Sequence, residues 1–310
     1  MTSPVEQDIA EKSVQGMDER TEHVTRKKDS IGSTIASAFS HSIVNIILLL
    51  VAAVWLLPTI GLFFSSLRSA KDNSSSGWWT VFGNAHELTI ENYSKLLGNS
   101  QMMGALWNTV IIVVPSTLAV IFLGAMAGYA LAWIDFPGRD WVLIGVVALM
   151  AVPIQVAFIP LARLFGSVGI FGTYWAVIIF HISFGLPFAV FLLRNYFRQI
   201  SPELMEAARL DGASEMRIFL RIALPLATPA IASLAIFQFL WSWNDMLVAL
   251  IFAGPDSQPI TVAIQSQLRQ FSANMDILAA GAFLSMLLPL GVYFAFQKYF
   301  VSALMAGSTK

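Results

Sequence analysis

A group of polar and aromatic side chains lies inside one strongly apolar segment of the chain. Gln238, Trp241 and Asp245 are three and seven residues apart, which places them on one face of a helix. An amide, an indole and a carboxylate on one face could stack against a sugar and hydrogen-bond to it. Polar groups inside apolar segments cost free energy, so each needs a physical reason for being there.

Two interpretations compete for the polar residues of these segments. They could contact a ligand, or they could form helix–helix hydrogen bonds worth about 0.6–2 kcal/mol each. The second is favoured for Gln155 and His181. A ligand or partner contact is favoured for Asp245, because an acid near the end of an apolar segment usually faces water or a partner. The candidates for a substrate path are Gln155, His181, Gln238, Trp241, Asn244 and Asp245.

The composition is that of a membrane protein. Of 310 residues, 56% are hydrophobic and 12% are charged, with a mean hydropathy of +0.69, whereas soluble domains have about 25% charged residues. The net charge of -1 argues against a nucleic-acid partner, and the absence of cysteine excludes thiolate metal sites. No metalloprotease, serine-hydrolase or nucleotide-binding motif occurs, so we predict neither an enzyme nor a metal site.

Six apolar segments are long enough to cross a bilayer, which needs about 20 residues. The pattern predicts an all-α membrane protein with a disordered tail over 1–30 and a transmembrane domain over 31–310. The predicted spans are about 43–66, 108–133, 141–162, 172–193, 227–250 and 278–297.

The distribution of lysine and arginine predicts the orientation. If the N-terminus is cytoplasmic, 13 of the 18 basic residues fall in inner segments and 5 in outer ones. Positive residues are enriched on the cytoplasmic side of membrane proteins. We therefore expect both termini in the cytoplasm, with outer segments at about 67–107, 163–171 and 251–277.

The predicted cytoplasmic segment 194–225 has strong helix signals. Ser201, followed by Pro202 and Glu203, is a good helix start, and Gly212 allows the turn that ends this helix after Leu210. A second short helix is expected from Ser214 to Pro225, with one apolar face. The predicted result is a helix pair at the membrane surface; the residues of that apolar face are Met216, Phe219, Leu220 and Ala223.

The same segment carries a recognisable motif. Glu206-Ala207-Ala208 is followed after three residues by Gly212, and nine residues later by Ile222-x-Leu224-Pro225. This resembles the EAA loop of permease subunits of binding-protein-dependent ABC importers. Other segments resemble the maltose-type (MalG-like) sugar importer permeases: Trp107-Asn108-Thr109, Gly128 to Ala132, Phe188 to Phe197, Trp243-Asn244-Asp245 and Gln297 to Val301.

The resemblance implies a type I ABC importer permease with a cytoplasmic coupling helix pair. In that family the pair docks on a separate ATPase, so this chain would hold no cofactor, while ATP and magnesium bind to the partner. The implied partners are a second permease (a heterodimer), two ATPase subunits, an extracytoplasmic sugar-binding protein and lipid, in the cytoplasmic membrane of a prokaryote. The implied coupling residues are Glu206, Ala207, Ala208, Asp211, Gly212, Ile222, Leu224 and Pro225.

The substrate is predicted less directly. The outer motif Ser76-Gly77-Trp78-Trp79-Thr80 resembles permeases for α-glucosides, which implies an oligosaccharide of the α-glucoside, maltose or trehalose type. In the maltose-type family the second permease can hold most of the sugar, and this chain would then only line the path. The outer segment 251–277 is the expected contact with the binding protein, through Gln265, Gln267 and Gln270.

Three other functions remain open from the residues alone. An ion-coupled secondary transporter usually needs intramembrane acids, and Asp245 is the one candidate. An intramembrane enzyme lacks its motifs here. A membrane scaffold without transport would show no ATP hydrolysis in response to a loaded binding protein.

Overall fold

The structure, a computed structural model, describes the backbone of residues 31–270 and 275–308 and the side chains of residues 43–266 and 278–297. The predicted tail 1–30 lies outside the described residues. The chain divides into two compact units, Met1–Ile60 and Gly61–Lys310. The first contributes most of the first long helix, and all contacts discussed below are within the second.

Regular structure in the described ranges is helical, apart from two isolated β-bridges, Arg68 to Leu88 and Gly172 to Ala253. Short 3₁₀ turns connect several of the helices. The helices are α1 (Ile31–Ser66), α2 (Ala70–Ser75), α3 (Glu91–Gly98), α4 (Ser100–Trp133), α5 (Arg139–Met150), α6 (Phe158–Ser167), α7 (Tyr174–Phe197), α8 (Pro202–Leu210), α9 (Glu215–Leu226), α10 (Thr228–Trp243), α11 (Leu247–Phe252), α12 (Ile260–Gln270) and α13 (Met275–Ser308).

Four helices in the described part of the chain are long and apolar enough to cross a membrane, and two bent helix pairs raise the number to as many as six. The four are within α1, α4, α7 and α13, which match the predicted first, second, fourth and sixth spans. Helix α4 begins at Ser100 rather than near residue 108, because residues 100–107 continue the same helix as the predicted span.

The predicted third span, 141–162, is wrong as one continuous helix. Helix α5 ends at Met150, and the chain bends by 96° before the segment Ile154–Ser167. Pro153 explains the break, because proline has no N–H to donate and its ring disfavours a helical conformation for Val152. Hydropathy alone could not show the break, since both halves are equally apolar.

The predicted fifth span, 227–250, is also broken. Helix α10 ends at Trp243 and α11 starts at Leu247. The Asp245 carboxylate accepts hydrogen bonds from the backbone N–H groups of Val248 (3.3 Å) and Ala249 (3.1 Å), which starts a new helix at that point. At its other end α10 is bent by 75° from α9, next to Pro229.

The most extensive helix–helix contact is the crossing of α4 and α7. Gly124 and Gly128 lie four residues apart on α4 and face α7 directly. A Cβ atom built at Gly124 would lie 2.7 Å from the Ala189 Cβ, and one at Gly128 would lie 2.9 Å from the Arg194 backbone nitrogen. Small residues at this spacing allow two membrane helices to approach closely. Helices α8, α9 and α10 pack against this crossing.

Candidate functional site

Helix α8, the first of the predicted pair, has the ends that the sequence predicts. The Ser201 hydroxyl accepts a hydrogen bond from the Leu204 N–H (3.4 Å), and Pro202 is the first helical residue. The Ser201 hydroxyl also donates to the Glu203 carboxylate. The start of the helix is therefore determined by local side chains.

The turn between α8 and α9 depends on Gly212. Its φ is +77°, in the region that favours glycine, and the Ala213 N–H donates to the Ala208 carbonyl (3.1 Å). A glycine in this conformation with such a bond is the usual C-terminal cap of a helix. It fixes the angle at which α9 leaves α8.

The predicted coupling residues divide into two groups by exposure. Glu206, Ala207, Asp211, Gly212 and Pro225 are exposed. Ala208 is buried, and Ile222 and Leu224 are half-buried against a cluster of apolar side chains shared by α4, α7 and α10. The exposed group can contact a partner, and the second group seats the helix pair on the membrane helices.

The packing face predicted for the second helix is partly wrong. Phe219 and Ala223 are buried, but Met216 and Leu220 are 55% and 52% exposed. Ile218 is buried in their place. Helix α9 contains one wider turn of π-helix over Phe219–Ala223, and such a turn shifts the side chains off the ideal α-helical face.

Leu210 was not predicted as part of the site. Its side chain is 89% exposed at the C-terminal end of α8, beside the turn at Gly212. An exposed leucine between two exposed acidic residues, Glu206 and Asp211, gives this end of the helix pair an apolar projection. The sequence signal was present, because Leu210 falls on the side of α8 opposite the buried Met205 and Ala208.

Glu215, at the start of α9, joins the helix pair to the end of α4. Its carboxylate accepts from the Arg209 Nε (2.8 Å) and from the Tyr129 hydroxyl (2.7 Å). Arg209 also donates to the backbone carbonyl of Trp133 (3.1 Å). The hydrogen bond to Glu215 raises the pKa of the Arg209 guanidinium, which stays charged. No spacing in the sequence indicated these contacts, because they join residues up to 86 positions apart.

Inside the apolar region, His181 and Asp245 lie close together. The His181 Nε2 is 3.7 Å from the Asp245 Oδ2, and the histidine is 1% exposed. The His181 Nδ1 is buried with no hydrogen-bond partner in the described structure. The Trp241 ring meets the imidazole edge to face at 5.1 Å. Asp245, for which the sequence favours a ligand or partner contact, has a side chain that is 11% exposed and lies beside this histidine.

Gln238 and Trp241 line one open cleft of about 260 Å³ between α7 and α10. The Gln238 amide donates to the Ser242 hydroxyl (3.1 Å) and is buried. Gly185 makes room for it, because a Cβ there would lie 2.5 Å from the Gln238 Oε1. The remaining lining of the cleft is aromatic: Phe184, Phe188 and Phe237.

The other predicted path residues lie elsewhere. Asn244 lines a different cleft with residues of α13 and donates to the Leu240 carbonyl (2.9 Å). Gln155 is exposed in the 3₁₀ turn between α5 and α6, so its expected place inside a continuous span is wrong. The six candidates therefore do not form one surface.

The segment near residue 256, which is predicted to lie on the outer side, is attached to α4 by polar contacts. The Asn108 amide donates to the carbonyls of Asp256 (3.1 Å) and Gln258 (3.0 Å), and the Ile260 N–H donates to the Thr109 hydroxyl (2.9 Å). Gln265 is half-buried on α12. The side chains of Gln267 and Gln270 lie outside the described residues.

The segment 67–107, which is also predicted to lie on the outer side, is organised by a buried arginine. Arg68 is 0% exposed and pairs with Glu87 at 2.7 Å. It also donates to the hydroxyls of Ser76 (2.6 Å) and Thr80 (3.1 Å), both within the motif Ser76-Gly77-Trp78-Trp79-Thr80. Trp78 of the same motif stacks on Phe64 with ring centroids 6.1 Å apart. Three residues of this motif therefore hold the segment together.

Comparison with known families decides what kind of protein this is. Residues 120–305, more than half of the chain, match the family described as the binding-protein-dependent transport system inner membrane component. The chain belongs to this family.

The permease has relatives in several bacteria. It is 44% identical over 272 residues to the "Osmoprotective compounds uptake permease protein GgtD" of Synechocystis sp., covering 86% of this chain and 91% of that one. It is 46% identical over 229 residues to the "Alpha-glucoside transport system permease protein AglG" of Rhizobium meliloti. That match covers 72% of this chain and 60% of the relative.

A solved structure confirms the fold of the permease. A chain of a bacterial ABC transporter "involved in the import of the acidic polysaccharide alginate" superposes with a TM-score of 0.72. The match is 22% identical and covers 85% of this chain and 98% of that chain. The family and fold that the EAA loop predicts are therefore confirmed. As a permease subunit the chain is not itself an enzyme, and ATP is hydrolysed by a separate subunit.

Proposed function

We propose that the permease is one half of the membrane pathway of an ATP-driven sugar importer whose substrate is an oligosaccharide of the α-glucoside, maltose or trehalose type. The observation that carries this proposal is the helix pair α8–α9, which is seated on the membrane helices while Glu206, Ala207 and Leu210 remain exposed. The names of relatives support the substrate class, because one of them is an α-glucoside permease.

The exposed end of the helix pair is the proposed contact with the ATPase. The Leu210 side chain is 89% exposed, and contact of this apolar surface with water is unfavourable. Burying it against a partner protein would therefore stabilise the complex. Glu206 and Asp211 flank Leu210 with negative charge, which suits a partner groove with basic residues. Ala208, Ile222 and Leu224 act behind this surface by holding it against the core.

The charge distribution and the family support a topology and an assembly for the proposed importer. In the proposed arrangement the chain has six spans, two of them broken, with both termini in the cytoplasm and residues 1–30 as a separate tail. A second, different permease completes the pathway. Two ATPase subunits bind ATP and magnesium, and an extracytoplasmic sugar-binding protein delivers the substrate to the outer segment around Gln265, Gln267 and Gln270.

The substrate path is proposed to include the cleft between α7 and α10. Its aromatic walls and the buried Gln238 amide offer stacking and hydrogen bonding. Trp241 belongs to both this cleft and the contact with His181, so it connects the cleft with the His181–Asp245 pair. Family membership argues against the alternative of an ion-coupled secondary transporter.

The test is reconstitution of the full transporter, with its partner permease, ATPase and binding protein, in liposomes. We expect maltose or trehalose, added with the binding protein, to stimulate ATP hydrolysis and to enter the vesicles. Glu206→Trp and Leu210→Asp should abolish both, with normal amounts of inserted permease. Glu91→Trp is the matched control, because Glu91 is exposed on α3, away from the helix pair. Full uptake by both α8 variants would refute the coupling role.

A further inference from the structure

Tyr129 is an aromatic residue of α4 whose hydroxyl serves a purpose beyond packing. The side chain is 4% exposed, and its ring packs against Phe197 (5.8 Å) and Phe219 (5.1 Å). A phenylalanine would fill the same apolar space. The hydroxyl needs a partner because a buried, unpaired hydroxyl is costly, and its partner is the Glu215 carboxylate at 2.7 Å.

The bond to Glu215 belongs to a closed set of contacts among three helices. Glu215 begins α9, Arg209 is near the end of α8, and Arg209 reaches the carbonyl of Trp133, the last residue of α4. The Trp133 indole in turn donates to the Phe197 carbonyl at the end of α7 (2.9 Å). The coupling pair is thereby attached to the ends of both crossing helices.

Apolar packing alone would not fix the orientation of the helix pair. Ile218, Phe219 and Ala223 resist separation of α9 from the core, but dispersion and hydrophobic contacts are not directional. Hydrogen bonds to a carboxylate are directional and about twice as strong as neutral ones. Because Arg209 and Glu215 are 37% and 42% exposed, their ion pair by itself contributes little. The hydrogen bond from the buried Tyr129 hydroxyl to Glu215 is therefore the contact that fixes the orientation of α9 relative to α4.

Helix α4 continues from these contacts to the outer segment. It is an unbroken helix of 34 residues, which corresponds to a length of about 50 Å. At its other end Asn108 and Thr109 bind the backbone of residues 256–260. One rigid element therefore joins the coupling pair to the segment that faces the predicted binding-protein side.

We propose that Tyr129, Glu215 and Arg209 form a latch that makes α8, α9 and α4 move as one body. Through this latch, displacement of the coupling pair is passed along α4 to the outer segment. The three are positioning residues: they contact neither substrate nor nucleotide. The proposal rests on the coupling role proposed above for the helix pair.

Sugar transported per ATP hydrolysed measures transmission in the reconstituted transporter, with maltose and trehalose as probes. Tyr129→Phe and Glu215→Gln keep the shapes of the side chains. The first removes the hydroxyl that donates, and the second removes the charge and leaves one acceptor oxygen where Tyr129 and Arg209 use two. Each should lower the ratio by about threefold to tenfold while ATP hydrolysis continues. The double variant should be no worse than the poorer single variant, because Tyr129→Phe acts only on the contact that Glu215→Gln already weakens. Tyr93→Phe and Glu91→Gln on α3 are the matched controls and should leave the ratio unchanged.

A second measurement does not depend on the sugar. The chain has no cysteine, so spin labels can be placed specifically at Asp135→Cys, just beyond α4, and at Arg217→Cys on α9. The distance distribution in the assembled complex should be narrow, should broaden with Tyr129→Phe or Glu215→Gln, and should not change with Tyr93→Phe.

The results separate the two proposals. If the unsubstituted complex transports no sugar, the proposed substrate fails, and the distance measurement still decides whether the latch exists. A distribution that does not broaden in the latch variants would overturn the latch. A broader distribution with an unchanged transport ratio would overturn its role in transmission. Equal amounts of inserted protein for all variants show that the effects are not failures of folding.

Discussion

Arg68 and Arg209, which lie in different regions of the permease, differ in burial and in the number of hydrogen bonds that their guanidinium groups donate. Arg68, in the predicted outer segment 67–107, is completely buried, and every nitrogen of its guanidinium donates to a neighbouring oxygen. Arg209, on the coupling pair, is 37% exposed and contacts one carboxylate and one carbonyl. The first arginine holds a buried hydrogen-bond network together, whereas the second joins two elements at a surface where a partner is expected to act.

The contrast predicts different consequences of mutation. Loss of a buried, fully bonded charge leaves other buried groups without partners and costs stability. Loss of a partly exposed ion pair costs little stability. In the helix pair, however, it would allow the orientation of α8 and α9 to vary. Outer-segment variants should therefore lower the amount of folded permease, and coupling-pair variants should lower transport by permease that is still folded.

The largest effect is expected from Arg68→Ala. The change removes the charge that neutralises Glu87, which is 12% exposed, and should cost about 3–5 kcal/mol of stability. We expect a marked fall in inserted permease and in the thermal midpoint of the detergent-solubilised complex. Lys71→Ala is the control, since Lys71 is exposed in the same segment. An Arg68→Ala variant as stable as the unsubstituted permease would contradict the structural role of Arg68.

An intermediate effect is expected from Gly212→Val at the coupling end. A β-branched residue at a φ of +77° introduces backbone strain of about 1–3 kcal/mol. We expect the turn to relieve this strain by changing the angle between α8 and α9. Sugar uptake should fall while the amount of inserted permease stays close to normal. Gly98→Val is the control, because a Cβ atom there meets nothing within 4 Å and its φ is not positive. Equal uptake by both variants would contradict the role of the turn.

The smallest effect is expected from Thr80→Val in the outer segment. Valine has the same shape but accepts no hydrogen bond, so Arg68 loses one of its acceptors and keeps the others. The cost should be about 0.5–1.5 kcal/mol, seen as a small drop in thermal midpoint with normal uptake per folded permease. Ser74→Ala, an exposed hydroxyl change nearby, should have no effect. A loss of uptake without a loss of stability would indicate that the motif contacts a partner instead.

The helix pair was predictable because its signals are local. Ser201, Pro202 and Gly212 act within a few residues of their own positions, through a cap, a fixed φ and a permitted positive φ. The motif Glu206-Ala207-Ala208 to Pro225 identified the family on the same stretch, and the comparison with known families confirmed it.

The breaks in the third and fifth predicted spans were less predictable. Prolines at positions 58, 115, 187 and 289 lie inside continuous helices, whereas Pro153 lies at a 96° bend. A proline therefore marks a possible break without deciding it, because neighbouring helices can satisfy the freed carbonyls. Likewise, the spacing of Gln238, Trp241 and Asp245 assumed one helix, and α10 ends before Asp245.

The sequence by itself determined the membrane class, the approximate spans, the shape of the helix pair and the family, because these depend on apolar length, local capping and a contiguous motif. The tertiary structure decided which residues meet. The contact of Tyr129 with Glu215 spans 86 positions, and that of Asn108 with Gln258 spans 150. The His181–Asp245 pair joins α7 to the break between α10 and α11. Such contacts depend on how helices cross. The spacing of Gly124 and Gly128 permits a close crossing, but it does not specify that the partner helix is α7.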